Sequence, residues 1–289
     1  MQIRRFISFL GLLALSQLAL AKPLVVASIK PLALIAQEIA GNQADVQTLI
    51  PVTASHHDHP LKVSDHNLLR AADLVIWVGP EMESFLEKPL ANLPPEKLLG
   101  AYRLAGLFWP EEHPGEGGHQ HERDPHLWLD PRNGMQLAKA ITEKLRKVDA
   151  GNAGLYDANL QAFLTKTTKL DERLAQTLQP VVGRGFAVYH EGYNHFVGRY
   201  GLRQLDYVTY IPEQKPGAKH LAQLRKELAQ GRCLFLEPYN DMTSARDLAR
   251  ELNLKLGTLD PLGSASATSY SLLLEQMASA FVACLGDGA

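Results

Sequence analysis

The sequence predicts an α/β protein of two lobes, each built on a mainly parallel sheet, joined by one long rigid helix. Three observations predict it. Short apolar runs alternate with stretches of helical periodicity from residue 22 onward, the pattern of strand and helix units that build a parallel sheet. One uninterrupted helical period then covers residues 153–178, after which the alternation restarts. The chain has 289 residues, enough for two modest domains with separate cores. The expected division is a leader over 1–21, a first lobe over 22–150, a connecting helix over 151–180 and a second lobe over 181–289.

The elements follow in order. Met1 to Arg5 is basic, Phe6 to Leu20 is apolar, and Ala19-Leu20-Ala21 has the small residues of a cleavage site. Together these form a secretory signal peptide. Lys22 follows the cut, so no cysteine is offered for lipid attachment. No later stretch reaches the ~18 apolar residues that a membrane span needs. Leu24 to Ser28 reads as a buried strand. Pro31 opens a helix with Leu32, Ile35 and Ile39 on one face, and Gly41 stops it. Val46 to Ile50 is the next strand. Ser64 is the expected N-cap of a helix through Ala71, and Asp73 to Gly79 holds a third strand.

From Glu111 to Arg123 the chain turns polar, glycine-rich and aperiodic, as expected of a mobile surface loop. Leu155, Leu160, Phe163, Leu164, Thr167, Leu170, Leu174 and Leu178 then mark the apolar face of one helix, about 39 Å long at 1.5 Å per residue. The second half repeats the alternation. Strands are expected at Phe186 to Tyr189, Leu205 to Tyr210, Cys233 to Leu236 and Lys255 to Leu259. Helices are expected at Ala218 to Leu228 and Ser269 to Leu285.

Composition narrows the function. A formal net charge of −2 argues against nucleic acid as a partner. The two cysteines, Cys233 and Cys284, are an even count in an exported chain and read as one disulfide.

The chemistry resides in the histidines. His126 stands between the Asp-Pro corners Asp124-Pro125 and Asp130-Pro131. Ser55-His56-His57-Asp58-His59 lies far upstream and Val188-Tyr189-His190-Glu191 far downstream. Neutral imidazole is the commonest side-chain ligand of transition metals. His57, His190 and Asp260 each fall at or just beyond the carboxyl end of an expected strand, where open α/β sheets gather ligands. Two of the histidines precede the long helix, and His190 and Asp260 follow it. A site assembled from His57, His126, His190 and Asp260 would therefore lie between the lobes. Three imidazoles and one carboxylate suit four-coordinate Zn²⁺. Ca²⁺ needs six or more oxygens, and both cysteines are committed elsewhere. His56 is the first candidate for an additional ligand. His195 and His220 read as structural, and His59 and His66 as surface residues.

These residues carry a resemblance. Ala54-Ser55-His56-His57-Asp58 with Ser64-Asp65, Ala72-Asp73-Leu74-Val75, Gly79-Pro80-Glu81-Met82-Glu83, His126-Leu127-Trp128-Leu129 and Gly257-Thr258-Leu259-Asp260-Pro261-Leu262-Gly263 resemble the high-affinity zinc-binding solute-binding proteins of bacterial ABC transporters, the ZnuA group of metal-binding cluster A-I. The likeness covers nearly the whole chain after the signal. It implies His57, His126 and His190 as zinc ligands and Asp260 at the family's carboxylate position. It implies a periplasmic protein, expected as a monomer, that hands Zn²⁺ to an ABC permease at the inner membrane. Zinc-selective members carry a histidine-rich acidic loop. Here that loop is the short 111–123 segment, whose His113, His119 and His121 are candidate accessory ligands.

Two rival readings are weighed against this one. A manganese receptor of the same fold would favour a hard carboxylate at position 190, where this chain has histidine. A secreted zinc hydrolase would need an open coordination position and a placed general base. The chain has no H-E-x-x-H motif, and Glu191 would point away from His190 in a regular strand.

Overall fold

The computed structural model describes residues 21–111, 123–238 and 242–287. The leader expected over 1–21 lies outside the described residues except for Ala21. The 111–123 loop lies outside them except for its two end residues, so His113, His119 and His121 are not described.

The first lobe holds β1 (Leu24–Ala27), α1 (Lys30–Ala40), β2 (Asp45–Thr48), α2 (Val63–Ala71), β3 (Leu74–Trp77), α3 (Ser84–Leu90) and β4 (Leu98–Gly100). Its four strands run parallel in the order β2-β1-β3-β4. Two helices follow, α4 (Pro131–Val148) and α5 (Ala153–Leu178). The second lobe holds β5 (Gly185–His190), α6 (Asn194–Tyr200), β6 (Arg203–Thr209), α7 (Ala218–Glu227), β7 (Cys233–Leu236), α8 (Thr243–Glu251), β8 (Lys255–Thr258) and α9 (Tyr270–Leu285). Its strands are parallel in the order β6-β5-β7-β8. The two sheets thus share one topology, with the chain reversing its direction of travel beside β1 and again beside β5.

Local chemistry explains most boundaries. Pro31 lies in the first turn of α1, where its missing N–H is not needed, and Gly41 ends the helix at a φ of 56°. Ser64 is not the cap of α2. The helix begins one residue earlier, at Val63, and the Asp65 carboxylate accepts the Lys62 amide at 2.7 Å. Helix α4 was hidden in the sequence because Asp130-Pro131 looks like a corner. Asp130 is in fact the N-cap, accepting the Arg132 amide at 2.8 Å, with Pro131 at the first helical position. Leu137, Ile141 and Leu145 then recur every fourth residue and are fully buried.

Helix α5 has the expected bounds and 26 residues. Leu155 departs from its apolar face and is 50% exposed. The helix is tied to both lobes. Asn159 donates to the Ile39 carbonyl at 2.9 Å in the first, and Asp171 accepts from Arg199 and Tyr200 in the second. One continuous apolar cluster runs from β1 and α1 through α4 and α5 to α9. Trp128 Nε1 donates to the Pro261 carbonyl at 2.8 Å, and Tyr270 Oη donates to the Trp128 carbonyl at 2.6 Å. Cys233 and Cys284 are joined, fastening β7 to α9.

Candidate metal centre

Four imidazoles meet where the carboxyl ends of the two sheets face each other. His56 and His57 come from the loop after β2. Ser55 Oγ accepts the amides of both His57 and Asp58 at 3.0 Å, a turn that projects two adjacent rings to one side. Their centroids are 4.3 Å apart.

His126 follows Asp124, whose Oδ1 accepts the His126 amide at 2.9 Å and lies 2.7 Å from His126 Nδ1. The buried 3₁₀ turn Leu127–Leu129 fixes the segment from behind. His190 is the last residue of β5. The β5–β7 register pairs Val188 with Phe235, so continuing it sets His190 beside Glu237. His190 Nδ1 lies 2.8 Å from Glu237 Oε1, and Tyr193 Oη donates to the same oxygen at 2.6 Å.

The ligating atoms of His56, His57, His126 and His190 all lie within 4.8 Å of one another. His56 Nε2 and His126 Nε2 are 3.2 Å apart, as are His57 Nε2 and His190 Nε2. A tetrahedral zinc with bonds of about 2.0–2.1 Å needs its ligand nitrogens about 3.3–3.4 Å apart. The four donors match such an ion in type, and the two close pairs match it in spacing. Among the described residues no other group of histidines, cysteines or carboxylates converges in this way.

Asp260, expected to complete the shell, is not part of this group. Its Oδ1 accepts the amides of Leu262 and Gly263 at 3.2 and 2.9 Å, in the turn after β8. His56 occupies the convergence instead. His195 is structural as expected: its Nε2 is 2.9 Å from the Asp124 carbonyl and its Nδ1 3.3 Å from Asn133 Nδ2. His220 bonds the Tyr207 carbonyl at 2.7 Å, and His66 is exposed.

The sequence did not reveal the carboxylates behind the rings. Asp124 and Glu237 each accept from an Nδ1–H, which leaves the Nε2 lone pair of His126 and of His190 facing the centre. That arrangement fixes tautomer and ring orientation around a metal. Asp124 also accepts the Asn194 amide at 2.9 Å, so one carboxylate holds a first-lobe ligand and the start of α6 in the second lobe. The signals were present, a carboxylate two residues before His126 and another at the end of β7, but the second depends on strand register.

Electrostatics set the four rings apart. Burial, reinforced by the neighbouring imidazoles, pushes the pKa values of His56 and His57 well below 6.5. Burial also lowers His126, against the pull of Asp124. For His190 burial acts downward, but Glu237, Asp124 and Glu191 outweigh it and the pKa lies above 6.5. Burial works to raise Asp124, yet His126 and His195 hold it well below the ordinary carboxylate range. Glu237 is likewise lowered, because His190 and Tyr193 overcome its burial. Two anions thus stand one residue behind the nitrogen donors and match the charge of a divalent cation.

A family model described as the periplasmic zinc-uptake complex component A, ZnuA, matches residues 25–284. The high-affinity zinc uptake system protein ZnuA of Yersinia pestis is 36% identical, with 95% of each chain covered. That of Haemophilus ducreyi is 33% identical, over 90% of this chain and 93% of the relative. Among solved structures, a ZnuA deletion mutant with zinc bound superposes with a TM-score of 0.80 at 27% identity, covering 93% of this chain and all of the other. The periplasmic zinc-binding protein TroA of Treponema pallidum has the same TM-score at 21% identity, a likeness of fold.

Proposed function

The chain belongs to the family of the periplasmic zinc-uptake component ZnuA, and on that premise we propose that it captures Zn²⁺ in the periplasm and delivers it to an ABC permease in the inner membrane. The observation that carries the reading is the convergence of four imidazoles, two of them backed by buried carboxylates. His57, His126 and His190 act as ligands, and His56 takes the fourth position in place of Asp260. Nitrogen donors favour zinc over the harder manganese. The signal sequence over 1–21 supports export. Four protein ligands fill a tetrahedral shell and leave no open position for activating water, which favours a carrier over a hydrolase.

Binding needs neutral imidazoles. The depressed pKa values of His56, His57 and His126 keep those rings neutral and receptive at neutral pH. At His190 the ion displaces a proton, and Glu237 stabilises the incoming charge. The test is metal analysis of the purified mature protein, followed by competition between Zn²⁺ and Mn²⁺. One tight zinc per chain, not displaced by excess manganese, is the expected result. Equal affinity for the two metals, or no tight zinc, overturns the reading.

A further inference from the structure

Gly192 lies buried in the turn between β5 and α6, against the two rings that are backed by carboxylates. A methyl at this position would stand 2.6 Å from His190 Cε1, 2.7 Å from His126 Cε1 and 2.9 Å from His126 Nε2. The backbone does not demand glycine here, since Gly192 is not among the residues of positive φ. The rings do.

Nothing around this contact yields cheaply. His126 and His190 are fully buried. Each is held at Nδ1, His126 by Asp124 at 2.7 Å and His190 by Glu237 at 2.8 Å. The turn is fixed at both ends. The Glu191 amide donates to the Thr209 carbonyl at 3.1 Å, and the Asn194 amide donates to Asp124 Oδ2 at 2.9 Å. Tyr193, the next residue, is bonded to Glu237. Carbon atoms sit at ease no closer than about 3.5 Å, so rings or turn would have to give by roughly 0.9 Å. A binding constellation has to be held to about 0.5 Å.

The two rings that meet the methyl are one from each close pair. His126 Nε2 is 3.2 Å from His56 Nε2, and His190 Nε2 is 3.2 Å from His57 Nε2. A side chain at position 192 therefore disturbs both pairs at once.

We propose that Gly192 is a specificity-determining position of the metal centre, where the missing side chain lets four imidazoles close on one small tetrahedral ion. The proposal rests on the zinc-capture reading above and deepens it. Zinc depends on that compact four-coordinate shell. Manganese suits oxygen donors and water in a larger shell, so it loses less when the nitrogens are displaced.

The test is Gly192→Ala. Gly217→Ala is the control, because a methyl there meets nothing within 4 Å. Competition titrations with Zn²⁺ and Mn²⁺ give the two affinities, and the visible absorption of bound Co²⁺, intense in a tetrahedral shell, reports the geometry. Gly192→Ala should weaken zinc on the order of tenfold or more, weaken manganese less, and lower the Co²⁺ absorption per bound ion. Gly217→Ala should match the wild type. Unchanged zinc affinity, an unchanged zinc-to-manganese ratio or a wild-type Co²⁺ spectrum would overturn the proposal. If Gly192→Ala does not fold, the same substitution is made in a His126→Ala chain, where the methyl meets one ring fewer. A cooperative melt regained there supports crowding at the rings, and none regained overturns it. A wild-type chain that binds no zinc would instead remove the functional reading itself.

Discussion

Glu237→Gln isolates what a carboxylate behind a ligand contributes. Glu237 Oε1 meets His190 Nδ1 at 2.8 Å and Tyr193 Oη at 2.6 Å, in a site where Glu237 is 8% exposed and His190 fully buried. Glutamine keeps a carbonyl for both donors and removes only the charge. Loss of such a partner costs about 10–100-fold in metal affinity, or about 1.4–2.7 kcal/mol. The effect should depend on pH with a definite sign. In the wild type Glu237 raises the His190 pKa above 6.5, so protons compete with zinc at His190 even near neutrality. In the variant burial dominates, the pKa falls, and that competition moves to lower pH. The affinity gap should therefore be widest at alkaline pH and narrow as pH falls toward 6. Competition titrations against a chromophoric zinc chelator from pH 6 to 8.5 measure it. Unchanged affinity would refute the idea that Glu237 tunes His190, and a gap that widens on acidification would refute the electrostatic account.

Three further outcomes are expected. His56→Ala, His57→Ala, His126→Ala and His190→Ala should each weaken zinc binding by about a hundredfold or more, about 3 kcal/mol, whereas His66→Ala and His220→Ala should not; isothermal titration reads both, and an unaffected His56→Ala would return the fourth position to another donor. Glu83→Gln should stabilise the fold at pH 8 but not at pH 4.5. Burial raises the Glu83 pKa from 4.5 to about 7, so the wild type has its full relative stability below 4.5 and loses about 3 kcal/mol as pH rises through 7; denaturant melts at the two pH values would show whether an uncharged amide, still able to accept the Val78 amide that meets Glu83 Oε2 at 2.7 Å, removes this loss. Reducing Cys233–Cys284, which closes a separation of 51 residues, should cost about 4 kcal/mol in the chain-entropy model; an unchanged melt in reductant would mean that α9 is held on β7 by packing alone.

The sequence revealed the fold through periodicity and the candidate site through residue type at strand ends. His57 and His190 stood out because strand ends in parallel sheets point to one side, His126 because it stands between two Asp-Pro corners, and the structure brings these three together. His56 was ambiguous because neighbours on a loop have no fixed parity; the Ser55 turn that aims both rings inward is a tertiary fact. Asp260 satisfied the same strand-end rule as His190 but lies outside the histidine group, with one of its oxygens bonded by the amides of its own turn. Glu237 could be seen only through the β5–β7 register, and α4 was masked by an Asp-Pro pair that serves as a helix start.

The two halves of the candidate metal centre differ in what stands behind each ring. His126 and His190 are held at Nδ1 by buried carboxylates, one on a packed 3₁₀ turn and one at a central strand end. Asp124 adds a link across the lobes through the Asn194 amide. Trp128 to Pro261 and Tyr270 to Trp128 add two more, within one continuous core. A wide hinge motion would have to break all of these and expose that core to water. His56 and His57 lie on a loop fixed by Ser55, and among the described residues no carboxylate bonds either ring. Movement of that loop disrupts neither sheet and removes two donors at once. The lobes therefore supply a preorganised pair of nitrogens, and the 51–59 loop supplies the pair whose displacement is least costly.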